Sequence, residues 1–209
     1  MPIIRLKDKV IYFSHIPKCG GTSVEKFLKT IAGAELAFLD SNFYRNKNPA
    51  WSISSPQHIT GGAAAGLFPV AFFDDFFTVV RNPFDRFCSA FSYQKYFSKK
   101  IPEEIGINQF IERLDDFQAL RPGRFDHHFF PQVDFLYPGA AYRVFKLERG
   151  LGGVRRYLGS LFDIDVSNVP MLHSLRQPDE IKQKVGALSE HSRKVIEDIY
   201  KLDFENLNY

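Results

Sequence analysis

Long hydrophobic runs are missing from this chain of 209 residues. No stretch approaches the roughly 18 apolar residues that a membrane-spanning helix requires. The opening MPIIRLKDKVIYF lacks the charged, apolar and cleavage-site layout of a secretory signal. Both absences predict a soluble chain, most simply cytoplasmic, with no transmembrane segment. Cysteine is scarce. Cys19 and Cys88 are the only two, too few for a disulfide framework and without metal-ligand spacing, so they read as free thiols at small positions. An excess of one charge is missing as well. Lys and Arg number 27 against 24 Asp and Glu, a net charge of +3. That balance does not argue for a nucleic-acid partner, although a local basic pocket would suit an anionic ligand. There is no internal repeat, low-complexity tract or long linker.

Phenylalanine is abundant, at 22 residues with 9 Tyr. It reads chiefly as core, with a minority of rings available to line a cleft. Hydrophobic residues make up 44% and charged residues 24%, an ordinary globular balance. The length predicts a single domain over residues 1–209. Lys9–His15 (KVIYFSH) reads as a strand. Thr22–Ile31 reads as a helix, with Val24, Phe27, Leu28 and Ile31 on one face. Residues 40–56 look like a loop. Asp75–Val80 (DFFTVV) is a continuous apolar run of the kind buried on both faces of a sheet. A helix is expected to start near Asn82 and Pro83, a third strand over Ala141–Leu147, and a terminal helix over Glu190–Leu202. Strands alternating with helices predict an α/β fold with a central, mostly parallel sheet flanked by helices. Ligands of such sheets bind at the carboxyl ends of the strands.

Two motifs begin where a predicted strand ends. In the first, HIPKCGGTS, Gly20 and Gly21 allow a tight turn and close backbone approach. Thr22 and Ser23 can cap the following helix and offer hydroxyls. Lys18 adds a point charge, and a helix start attracts anions. Read more plainly, the segment is a glycine turn capped by Thr22. It does not match G-x-x-x-x-G-K-[ST], because Lys18 precedes the glycines. In the second motif, VVRNPFDRFCSAF, the strand ends in Arg81 where a phosphate-transferring P-loop enzyme has an Asp for magnesium. Asp74 and Asp75 lie at the strand's beginning. Arg81 suits a second phosphate, and the hydroxyl of Ser89, about two helical turns on, can share it. The plainer reading of Arg81 is a strand-end residue paired with a carboxylate. Asp85 and Arg86 read as partners in structural salt bridges.

Together the two segments resemble the nucleotide-binding signatures of carbohydrate sulfotransferases that use 3′-phosphoadenosine-5′-phosphosulfate (PAPS). The resemblance implies a three-layer, P-loop-like α/β fold. It implies that Lys18, Cys19, Gly20, Gly21, Thr22 and Ser23 hold the 5′-phosphosulfate, and that Arg81 and Ser89 hold the 3′-phosphate. Asn82, Pro83 and Arg86 match the same signature, with Asn82 replacing the commoner Asp. HFFPQ (His128–Gln132), FKLE (Phe145–Glu148) and the ending IYKLDFENLNY are similar to further family segments, which makes His128 and Gln132 candidate substrate-binding residues. His173 replaces an asparagine of the family. PAPS would be the donor, PAP the product, and no metal is implied. The acceptor would be a hydroxyl, with carbohydrate or glycolipid expected.

Sulfuryl transfer needs in-line geometry, stabilisation of the leaving phosphate and a base for the acceptor proton. Lys18 is the candidate for the charge. His58, in SSPQHITGG, matches the family's loop histidine and is preferred as base over His128, while His15 reads as support for the loop. His127, His173 and His191 read as surface or structural residues. Residues 40–56 and 91–136 are candidates for shaping an acceptor cleft. A P-loop kinase and a non-catalytic nucleotide-binding relative are the competing classes.

Overall fold

The computed structural model describes residues 2–40, 42–43, 52–116, 123–169 and 179–209. They form two compact units, Met1–Arg81 with Asp134–Leu175, and Asn82–Val133 with Arg176–Tyr209.

The first unit is built on a five-stranded sheet. Its strands are β1 (Ile3–Leu6), β2 (Lys9–Ser14), β3 (Glu35–Ala37), β4 (Asp75–Val80) and β5 (Arg143–Lys146), in the order β3-β1-β2-β4-β5. The middle of the sheet is parallel, as the sequence predicts. β2 pairs with β4, Ser14 opposite Thr78, and β4 pairs with β5, Val80 opposite Lys146. β1 and β3 are antiparallel additions on one side, which the sequence reading did not include.

Strand side chains alternate between faces, and each face has its own core. Ile11, Phe13, Phe77 and Val79 pack with Val24, Phe27 and Leu28 of α1 (Gly21–Leu28) and with Val154, Leu158 and Phe162 of α5 (Gly152–Phe162). Tyr12 and Phe76 pack on the opposite face with Ile59, Phe73, Tyr137 and Ala64 of α2 (Gly61–Ala65). Helices therefore flank both faces. α1 is shorter than its apolar spacing suggests, because residues 29–31 leave the helix. At the end of β2, the Ser14 hydroxyl donates to the Phe135 carbonyl at 2.7 Å and accepts from the Tyr142 hydroxyl at 2.7 Å. Tyr142 in turn accepts the Tyr137 N–H, so this buried polar cluster is satisfied.

The second unit is helical. α3 (Pro83–Ser92) starts where Asn82 accepts the N–H groups of Phe84 and Asp85, with proline in its first turn. A π-helical turn, Tyr93–Phe97, continues it. α4 (Ile107–Glu112) and α6 (Asp179–Val185) follow. The predicted terminal helix divides at Tyr200 into α7 (Glu190–Ile199) and α8 (Lys201–Asn206). Phe87, Phe91, Phe110, Phe125, Phe129, Ile196 and Tyr200 form its core. The phenylalanine excess is thus spent largely on the cores of the two units. Of the expected loop over 40–56, residues 41 and 44–51 lie outside the described residues, as do His173 and residues 117–122 of the stretch 91–136.

Phe77 is fully buried and stacks on Phe13 at 4.7 Å. Truncating such a ring leaves a cavity, so Phe77→Ala should cost about 3–5 kcal/mol, read as a lowered urea midpoint at unchanged m-value.

Candidate active site

The parallel register puts both motifs at one edge of the sheet. Residues 15–20 leave the carboxyl end of β2, and Arg81 follows directly from β4 beside it. Lys146 ends β5 in register with Val80, which adds a third basic residue to that edge. The guanidinium of Arg81 reaches 3.5 Å from the Lys18 carbonyl oxygen. Asp74 is used at the opposite end of β4, where it accepts the Val10 N–H at 2.7 Å.

The loop has a costly backbone. Lys18 sits at φ 69 and Gly20 at φ 84, both left-handed, and for lysine that costs roughly 1–2 kcal/mol. Gly20, not Thr22, precedes the first helical residue of α1, and no side chain caps the helix. Thr22 and Ser23 are the second and third helical residues, which corrects the expectation that they cap it: the chain enters α1 through the left-handed glycine. No side-chain oxygen caps this positive end of the helix dipole, and the Ser23 N–H donates to the Gly20 carbonyl at 2.9 Å. Cys19 is buried, and its N–H closes the turn on the Ile16 carbonyl.

The two glycines have different reasons. Gly20 is needed for its conformation. Gly21 is needed for space, since a Cβ there would lie 2.0 Å from His15 Cδ2. The His15 ring is buried, and its Nδ1 lies 2.5 Å from Glu25 Oε1 on α1. It stacks on Phe13 and meets the His58 ring edge-on at 4.9 Å. His15 thus supports the loop, as expected from its position, and it also touches the residue preferred as base. His58 is buried in the 3₁₀ turn Pro56–His58, with Nδ1 3.3 Å from the Ser55 hydroxyl.

Electrostatics mark the same place. Burial lowers the Lys18 pKa to about 8, with Arg81 adding to the effect. A lysine that is costly to charge beside an arginine is a site short of negative charge. Burial alone would raise the Glu25 carboxyl. The charge and hydrogen bond of His15, with a lesser push from His58, outweigh it and hold the carboxyl below its ordinary value.

The remaining candidates lie in the second unit. Ser89 is buried on α3. Arg86 is completely buried and donates to the carbonyls of His128 at 3.3 Å and Phe130 at 2.7 Å. The tail takes the other half of this segment. Asp203 is fully buried and accepts the N–H groups of Gln132 and Val133, and Tyr200 donates to the Phe129 carbonyl. The segment is strained just before His128, with Asp126 at φ 53 and His127 at φ 56. Consecutive left-handed residues without glycine persist only where surrounding bonds over-determine them. His127 is buried and its ring stacks on Phe130 at 4.2 Å, whereas His191 is exposed.

The sequence profile of the sulfotransferase family matches residues 1–209, the whole chain. The chain belongs to the sulfotransferase family. It is therefore a transferase of sulfuryl groups, of a family that generally takes them from PAPS and passes them to hydroxyl-bearing acceptors. No curated protein and no solved structure matches it. Among the described residues, no helix is long and apolar enough to cross a membrane. Sequence reasoning missed Glu25, which meets His15, and Gln94, which meets His128, while the tail's resemblance to family members was the one signal that pointed towards Asp203.

Gly21→Ala should lower the melting temperature, because backbone or His15 must move. Gly62, in α2 with nothing within 4 Å of an added Cβ, is the control. Gly62→Ala should be neutral or stabilising by about 0.5–1 kcal/mol.

Proposed function

We propose that this sulfotransferase binds PAPS on the loop from Lys18 to Ser23 and moves its sulfuryl group to a hydroxyl of a carbohydrate or glycolipid. The carrying observation is the half-buried Lys18, its charge disfavoured and Arg81 at its back, beside an uncapped helix start. That combination gains most from a polyanion. The sheet with helices on both faces supports a three-layer, P-loop-like reading, with residues 1–209 acting as one sulfotransferase domain.

Each residue then has a task. Cys19, Gly20, Gly21, Thr22 and Ser23 line the 5′-phosphosulfate, while Arg81 and Ser89 take the 3′-phosphate. PAPS supplies the sulfuryl group and leaves as PAP. Lys18 meets the charge that builds on the leaving phosphate oxygen. His58 accepts the acceptor's proton, with its ring set by Ser55 and His15. His128 and Gln132 contact the acceptor. Arg81 follows β4 where a kinase of this type has a magnesium-binding Asp, which favours the sulfuryl donor over ATP.

Transfer from radiolabelled PAPS to a panel of glycans and glycolipids tests the reading. His58→Ala should lower transfer by about 10²–10⁴-fold while PAP binding is kept; full activity would eliminate His58 as base. PAP binding should also weaken as pH rises. With the Lys18 pKa at about 8 in the free protein, the ammonium must be rebuilt on binding above that pH. Affinity then falls towards about tenfold per pH unit for one coupled proton. Lys18→Met should flatten the profile, read by titration calorimetry.

A further inference from the structure

Gln94 is 1% exposed and sits in the π-helical turn Tyr93–Phe97, a backbone irregularity common at functional sites. Its amide nitrogen Nε2 lies 3.1 Å from the Phe125 carbonyl oxygen and 2.9 Å from His128 Nδ1. A carbonyl oxygen only accepts, so the amide atom that faces Phe125 is the NH₂ group. The flipped amide would set two acceptors against each other. The second hydrogen of the same NH₂ then goes to His128 Nδ1, which must accept it. An imidazole nitrogen that accepts carries no proton, and the ring proton is on Nε2.

We propose that Gln94 is a positioning residue that fixes His128 as the neutral Nε2–H tautomer, so that His128 meets its substrate as a hydrogen-bond donor and not as the base. The tautomer follows from the two hydrogen bonds of the Gln94 amide. Its use in acceptor binding rests on the function proposed above. The opposite atom of the amide, Gln94 Oε1, is buried without a partner. A methionine or leucine would avoid that cost, but neither can donate to both Phe125 and His128. His128 is also held from other sides. The Tyr93 ring lies 5.2 Å from it, and its backbone carbonyl accepts from Arg86. With Nε2 as donor, His128 binds an oxygen of the acceptor, and removal of the acceptor's proton falls to His58.

The experiment uses the full chain labelled with ¹⁵N-histidine. Long-range ¹H–¹⁵N spectra at neutral pH, with His128 assigned by its loss in His128→Asn, should show the Nε2–H pattern. Gln94→Glu replaces the donor with an acceptor and should move the proton to Nδ1. Gln94→Met removes the donor and should give a mixture of tautomers. An Nδ1–H pattern in the wild-type protein would overturn the proposal. So would a pure Nε2–H pattern that persists in Gln94→Met, which decides the matter if Gln94→Glu does not fold. PAP titration of the same samples separates the two readings. If the tautomer responds to Gln94 but the wild-type protein does not bind PAP, the positioning role stands and the proposed donor site falls.

Discussion

The parallel pairing of β2 with β4 is the constraint on which the rest of the first unit depends. It sets Ser14 opposite Thr78, and the Thr78 hydroxyl donates to the Ser14 carbonyl at 2.9 Å. From that register the loop carrying Lys18 and the strand end carrying Arg81 emerge side by side. A slip of one residue would turn Phe13 away from the face that Phe77 occupies and displace the two cations from each other. Both strands are buried on two faces, and it is this burial that makes the register expensive to change. Hydrophobic packing, in that sense, sets the distance between two charges.

The same edge carries the molecule's local costs. Lys18 is left-handed and half-buried, and its folded pKa is below that of an exposed lysine. The sign of the linkage is therefore unfavourable. Protonation of Lys18 costs folding stability, fully below about pH 8 and not at all above the ordinary lysine range. An anion bound at the loop would recover that cost, which is how a destabilising charge becomes binding energy. Glu25 behaves oppositely. Its carboxylate is stabilised by His15, so the pair contributes to stability above the ordinary carboxylate range and loses that contribution as acid protonates Glu25. The loop is thus anchored at its helix side and strained at its lysine.

What was legible in the sequence was local. Asp75–Val80 and Lys9–Ser14 could be read because a continuous apolar run between charge and turn formers admits few other structures. β1 and β3 escaped because four and three residues carry too little pattern. The start of α1 was misplaced because a left-handed glycine, and not a capping side chain, opens it. Lys18, Gly20, Gly21 and Arg81 were visible as motifs. Their supports were not, since each is set by tertiary contact. Glu25 meets a histidine ten residues away, Gln94 one 34 away, and Asp203 holds a backbone 71 residues away. No periodicity announces such pairs.

In the proposed function, Lys18 and Arg81 serve two phosphates of one nucleotide. Calorimetric titration of the wild-type protein with PAP, AMP and ATP tests it most directly. PAP should bind at least about tenfold more tightly than AMP, the loss expected when a charged hydrogen-bonded contact of about 1.5–3 kcal/mol is removed. Arg81→Ala should erase most of that difference. Equal affinity for PAP and AMP, or a preference for ATP, would contradict the account.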